Sequence, residues 1–478
     1  KGRMVALVGD AELDEGNVYE CLQEGWKHDL RNVWWIIDYN RQSLDGVVHE
    51  GLSERLSSVF EAFGWNLIVL KYGRLQKDAF KEPGGNLLKK WIDDCPNQLY
   101  SALIYEGGAA FKKRVLDDIG DQDIVSKLIN KRSDNEFLEL MANLGGHCVP
   151  TLCDAFNGIN DDKPTAFIAY TIKGWGTPLA GHKDNHAGLM TKIQMDSFKS
   201  KFGITEGNEW NSFLDAKEDL ELNEFIKNSP FQKARHRKYN SKKIPVDDII
   251  LITETKISTQ NAFGKILDQY AKNNTEFGNR IITTSPDVSV STNLGPWINK
   301  KGLFSRTDSS DTFRDRKIPS AQKWIFSSQG QHIELGIAEM NLFLMLGAAG
   351  LSHELFGERL FPIGTVYDPF IARGLDAMNY ACYQDARFMI VGTPSGVSLA
   401  PEGGAHQSIG TPLIGISQPG LLSYEPAFAD ELSIIMNYGF NYLQDENGGS
   451  VYLRLTTRPI EQPLREINHE LKHNVIKG

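Results

Sequence analysis

Val8-Gly-Asp-Ala-Glu-Leu-Asp-Glu-Gly16 and, after a run of helical pattern, Val33-Trp-Trp-Ile-Ile-Asp-Tyr-Asn-Arg-Gln-Ser-Leu-Asp-Gly46 form the stretch that decides the fold. Two short apolar runs, Met4 to Val8 and Val33 to Ile37, flank a segment of mixed pattern, which reads as a β-α-β unit of a parallel sheet. Each run ends in polar residues, where a strand gives way to a loop. In an open α/β sheet ligands bind beyond the carboxyl ends of the strands, so Asp10 and Asn40 are expected to face one crevice.

A carboxylate, an amide oxygen and a main-chain carbonyl are hard oxygen donors. They suit Mg²⁺, which keeps substrate phosphates among its ligands. Taken alone, Gly9-Asp10 also reads as an ordinary strand-to-helix turn and Asn40 as a loop amide. The spacing between them turns the balance toward the metal only through the family motif it resembles, and the Leu44-Asp45-Gly46 ending narrows that family.

On these residues the stretch resembles the thiamine-diphosphate motif of the homodimeric-type pyruvate dehydrogenase E1 components, within the transketolase-like superfamily. Ala11 stands where the motif has its second glycine, and Asp38 where it has the first of two asparagines. The resemblance implies that Asp10, Asn40 and the Gln42 main chain hold Mg²⁺. It implies cofactor contacts for Gly9, Ala11, Glu12 and Lys173 in the same domain.

Further motifs follow in order. After a helix expected over Leu52 to Phe63 and a strand over Asn66 to Leu70, the pattern from about 72 to 145 is helical and charged, with breaks at Pro83-Gly-Gly85, Pro96 and Gly107-Gly108, as expected for a helical insertion. His147 reads as a surface loop residue. Strand Thr165 to Tyr170 leads into Thr171-Ile-Lys-Gly-Trp-Gly176 and a glycine-rich loop carrying His182 and His186, where a proton-transfer group can be presented to a substrate. The resemblance selects His186. Lys233 to Lys243 is strongly basic and reads as an exposed linker, about 228–245.

A second alternating region starts near Ile257, with Ser258 or Thr259 as a helix cap, and includes strands over Arg280–Thr284, Ala386–Val391 and Ser450–Leu455. Its chemistry centres on Ile333-Glu-Leu-Gly-Ile-Ala-Glu339. Apolar neighbours would favour a protonated Glu339 carboxyl, as a donor to a heterocycle nitrogen requires. Glu334 is the alternative, and a plain amphipathic helix is the third reading. Tyr367 and Phe370 match in spacing the superfamily's aromatic pair that stacks on the thiamine pyrimidine, and His406 matches the active-site histidine of a Gly-Glu-Gly-x-x-His loop, with Pro401 at its first position.

Length, charge and cysteines set the bounds. At 478 residues the chain has room for two large α/β domains or about three average ones, and 41% hydrophobic with 23% charged residues is ordinary for a globular protein. The net charge of -10 argues against nucleic-acid binding. Five cysteines without Cys-x-x-Cys spacing read as small buried or half-buried residues in a reducing compartment. No apolar run reaches the roughly 18 residues of a membrane span, so a cytoplasmic enzyme is expected.

The expected architecture is α/β. Two thiamine-diphosphate-binding doubly wound parallel-sheet domains, transketolase-like, cover residues 1–245 (with the insertion) and 246–465, and 466–478 begin a connection onward. The resemblance implies thiamine diphosphate and Mg²⁺ as cofactors and a small 2-oxoacid, pyruvate, as substrate. It implies an E2 acyltransferase whose lipoyl group accepts the acyl unit, and a homodimer with active sites between subunits. Neither nucleic acid nor membrane is an expected partner. The catalytic set is Glu339, His186 and His406. The alternatives are a transketolase-like ketol transferase and an inactive paralogue serving as a subunit. Lys1 precedes a strand expected to be central, which suggests a longer chain truncated at both ends.

Overall fold

A computed structural model of the chain describes residues 2–44, 46–120, 123–210, 220–235 and 239–478. Lys1, Asp45 of the Leu-Asp-Gly ending and residues 236–238 of the basic stretch lie outside that set. The chain divides into two compact units, Lys1–Ile226 and Lys227–Gly478.

Among the described residues the first unit is built on four parallel strands, β1 (Met4–Gly9), β2 (Val33–Tyr39), β3 (Asn66–Leu70) and β4 (Thr165–Tyr170), in the order β1-β2-β4-β3. β4 is buried along its whole length, as its unbroken apolar character demands. β1 lies at an edge of these four rather than the centre, and Met4, Val5 and Leu7 face solvent at 66%, 54% and 75% exposure. The β1–β2 register pairs Gly9 with Asp38, so the residues that follow both strands emerge at the same end of the sheet.

Between β3 and β4 stand helices Arg74–Ala79, Gly85–Asp94, Asn97–Glu106, Gly108–Ile119, Asp123–Asn130 and Asp134–Ala142. Trp91, Tyr100, Phe111, Phe137 and Met141 form their shared core. Gly108, which punctuates the sequence, also lets two helices meet: a Cβ there would overlap the main chain of Asp134. The sharpest helix start follows Ser133, whose hydroxyl and Glu136 form a reciprocal capping box.

Among the described residues the second unit holds ten strands: β5 (Lys256–Ile257), β6 (Ile281–Pro286), β7 (Leu303–Phe304), β8 (Phe326–Ser327), β9 (His332–Leu335), β10 (Phe361–Val366), β11 (Met389–Gly392), β12 (Leu421–Tyr424), β13 (Ser450–Arg454) and β14 (Ile460–Glu461). Eight make one parallel sheet in the order β12-β13-β11-β10-β6-β9-β7-β8, and β14 pairs antiparallel with β5. From β6 the chain runs first to the β9 side and later to the β10 side, so the strand order reverses there. That is where a doubly wound sheet opens a crevice at its carboxyl ends.

Ser258 is the cap of helix Thr259–Asn273, accepting the Asn261 N–H. Ile244, near the expected end of the linker, is buried in the second unit's core, and Gln444 hydrogen-bonds both its N–H and its carbonyl. All five cysteines are free. Cys153 is exposed, unlike the buried or half-buried setting expected, while Cys148 is buried. No helix among the described residues is long and apolar enough to cross a membrane.

Candidate active site

In the first unit the loops after β1, β2 and β4 carry the predicted residues. Arg41 adopts φ 66°, unusual for a residue with a Cβ, and this bend aims successive main-chain donors at two side chains. The Arg41 N–H donates to Asp10 Oδ2 at 2.7 Å, and the Gln42 N–H donates to Asn40 Oδ1 at 2.9 Å. The Arg41 guanidinium is buried and lies 4.6 Å over the Tyr100 ring. Arg41 had no sequence signal, since glycine or asparagine is the usual residue for that backbone.

Asp10 is 1% exposed, and burial raises its pKa to about 6 against the pull of the Arg41 and Ala11 N–H groups and Lys173. A cation at this carboxylate would offset that cost. The Gln42 carbonyl oxygen accepts no hydrogen bond among the described residues, and its side-chain Oε1 is buried without a partner. One carboxylate, one amide and one carbonyl thus offer oxygens of the kind Mg²⁺ with a diphosphate prefers. Among the described residues no group of three or more His, Cys, Asp or Glu could hold a metal, so a metal here would depend on this mixed set and on ligand oxygens.

Ala11 is absent from the left-handed residues, so the motif position it fills needs no glycine for backbone conformation. Glu12 is exposed and its side chain packs beside Gly9. Lys173 Nζ donates to the Ser43 carbonyl at 2.6 Å, and Gln42 Nε2 to the Gly181 carbonyl at 3.1 Å, which ties the loops after β2 and β4 together.

His147 is not a surface histidine. Its Nε2 accepts the Ile172 N–H at 2.8 Å and its ring stacks on Trp175 at 4.6 Å, and burial lowers its pKa. His182 Nδ1 accepts the Asp184 N–H. His186 is exposed in the same loop and has no hydrogen bond or ring contact with the other candidates among the described residues.

In the second unit the predicted residues come together from the carboxyl ends of β9, β10 and β11. Tyr367 and Phe370 stack at 6.1 Å and 21°. The His406 ring meets both edge-on, at 5.8 Å from Tyr367 and 5.4 Å from Phe370. His406 Nδ1 is buried without a hydrogen-bond partner among the described residues, and Glu402 stands 3.6 Å from Nε2.

Glu339 opens helix Glu339–Gly350 and is 6% exposed. Its neighbourhood is not purely apolar, as the sequence suggested: Arg373 Nη1 donates to Glu339 Oε1 at 2.8 Å. The same guanidinium lies 4.8 Å over the Phe370 ring. Glu334 is on β9, engaged by His332, Ser289 and the Asp287 N–H.

Beneath this cluster Asp368, fully buried, accepts hydrogen bonds from Thr411, Tyr452 and Arg454. Arg454 also donates to the Ser408 carbonyl, two residues beyond His406. Gly392 at the end of β11 is needed because a Cβ would overlap the Asp368 carboxylate. Asp368, Arg373 and Arg454 were missed. The lone signal was a charge set between two aromatics that were themselves singled out.

The fold is that of the transketolases. The solved transketolases of Leishmania mexicana and Campylobacter jejuni superpose with TM-scores of 0.59 and 0.58 at 18% and 16% identity, each covering 98% of this chain and 57% and 59% of theirs. Residues 252–463 match the family model of the pyruvate dehydrogenase E1 component middle domain. Curated pyruvate dehydrogenase E1 components are similar across nearly the whole chain. That of Cupriavidus necator is 24% identical over 99% of this chain and 54% of its own length. That of Pseudomonas aeruginosa is 25% identical over 95% and 53%, and that of Escherichia coli K12 24% identical over 96% and 53%. The chain spans about half the length of the curated relatives it matches.

Proposed function

We infer that the chain carries the cofactor-binding units of a thiamine-diphosphate-dependent 2-oxoacid dehydrogenase, with pyruvate as substrate and transfer of the acyl group to the lipoyl group of an E2 acyltransferase. The observation that carries this reading is the grouping of Tyr367, Phe370 and His406, with Glu339 joined to them through Arg373, beyond the carboxyl ends of β9, β10 and β11 of one sheet. The similarity to pyruvate dehydrogenase E1 components along nearly the whole chain supports it.

Thiamine diphosphate, when bound, supplies the nucleophilic carbon and the electron sink that decarboxylation requires. Asp10, Asn40 and the Gln42 carbonyl would hold Mg²⁺ and through it the diphosphate, with Gly9, Ala11, Glu12 and Lys173 around them. Tyr367 and Phe370 would offer flat apolar faces to the pyrimidine, and Glu339 would hold a proton at its ring nitrogen. His406 would handle the proton on the substrate oxygen and His186 a proton during acyl transfer. The two units serve one cofactor from different subunits of a homodimer in this reading.

Ketol transfer is the second reading, favoured by the transketolase neighbours of the fold. A ferricyanide-coupled assay with pyruvate and 2-oxobutanoate, run beside a ketose-to-aldose transfer assay, separates the two. Thiamine-dependent ferricyanide reduction without ketol transfer is expected. Ketol transfer without decarboxylation overturns the dehydrogenase reading, and failure to bind thiamine diphosphate overturns both.

A further inference from the structure

Arg373 makes two contacts at once. It donates to Glu339 Oε1 at 2.8 Å and lays its guanidinium 4.8 Å from the centre of the Phe370 ring. A hydrogen bond to a buried glutamate and stacking on an aromatic face are what a flat, nitrogen-bearing heteroaromatic ring would seek in the same place. A guanidinium is itself flat, delocalised and a fork of N–H donors, so it can stand in for such a ring.

We propose that Arg373 is an internal placeholder for the pyrimidine ring, seated on Glu339 and Phe370 and displaced when thiamine diphosphate binds. The inference rests on the cofactor reading above.

The local structure allows such a movement. The Arg373 side chain is 54% exposed, whereas Glu339 beneath it is buried, so the arginine can swing into water without opening the core. The backbone would stay in place. A Cβ at the neighbouring Gly374 would clash with the Phe343 ring and lie 2.6 Å from the Glu339 carbonyl oxygen, so this turn is packed directly on the helix start. His406 approaches Phe370 edge-on at 5.4 Å, and the aromatic pair is further held by the buried Asp368 between its members. The movable group is thus the arginine alone. While seated, it also keeps the Glu339 carboxylate from standing buried without a partner.

A ligand that must displace a resident group binds with an affinity reduced by the fraction of molecules in which the place is free. Titration calorimetry with thiamine diphosphate in excess Mg²⁺, on the wild-type protein and on Arg373→Ala and Arg373→Gln, reads that fraction. Arg373→Ala is expected to tighten Kd by about three- to tenfold. Arg373→Gln, which keeps a donor but loses the charge and the fork, is expected to tighten it less. If Arg373→Ala does not fold, Arg373→Gln decides by the same criterion. An unchanged or weaker Kd in a folded variant, with the wild type binding, overturns the placeholder and leaves the cofactor reading standing. Absence of binding by wild type and variants alike overturns the cofactor reading, and the placeholder with it.

Discussion

The two units hold their candidate residues by different means. In the first, main-chain N–H groups fixed by the left-handed Arg41 hold Asp10 and Asn40. In the second, side chains hold side chains: Arg373 on Glu339, His406 against Tyr367 and Phe370, and Arg454 on Asp368. A backbone-held site is rigid and suits hard ions and phosphates, whose position hardly varies. A side-chain-held site can exchange partners, as taking up a ring requires.

Disabling the second unit's chemistry should have the largest effect. Glu339→Gln keeps the shape but removes the titrating carboxyl, and should lower the decarboxylation kcat by about 10²–10⁴-fold, the usual contribution of a general acid or base. Steady-state kinetics check this, and an unchanged kcat would shift the role to Glu334 or deny it to this cluster.

A stability change confined to one unit comes next. Arg454→Met leaves the Asp368 carboxylate buried without its cation, and removing one partner of a buried pair typically costs about 3–5 kcal/mol. Urea unfolding should show the second unit's transition moved to lower denaturant and the first unit's unchanged. A shift of both, or of neither, would deny that the network is local and structural.

The smallest effect concerns His147. Burial lowers its folded pKa below the ordinary histidine value, and its Nε2 accepts a main-chain N–H. Its contribution is therefore present above the unfolded pKa, near 6.5, and is lost as pH falls through the lower folded value. Thermal unfolding from pH 7.5 down to 5 should destabilise wild type more steeply than His147→Gln. Parallel slopes would show that the imidazole is not titrating in the native fold.

Much of the first unit was legible because its strands are short apolar runs bounded by polar loops. Asn66–Leu70 and Thr165–Tyr170 have the expected ends. In the second unit β9 and β10 were not readable as strands. β9 places His332 and Glu334 among its four residues, and β10 carries Pro362, which argues against a strand until its neighbours are known. Glu339, Tyr367, Phe370 and His406 were legible through motif spacing. Their supports were not, because the bonds close over long separations, 34 residues for Arg373–Glu339 and 86 for Arg454–Asp368. Arg41 escaped for another reason: nothing in an arginine announces a positive φ, which only the closed turn imposes.

The backbone-held oxygens of the first unit are proposed to bind a metal-diphosphate. Calorimetric titration of thiamine diphosphate into wild-type and Asp10→Ala protein, each with Mg²⁺ and with chelator, tests it most directly. The account predicts saturable, Mg²⁺-dependent binding by the wild type and its loss in a folded Asp10→Ala variant. Wild-type affinity in Asp10→Ala, or binding indifferent to chelator, would contradict it.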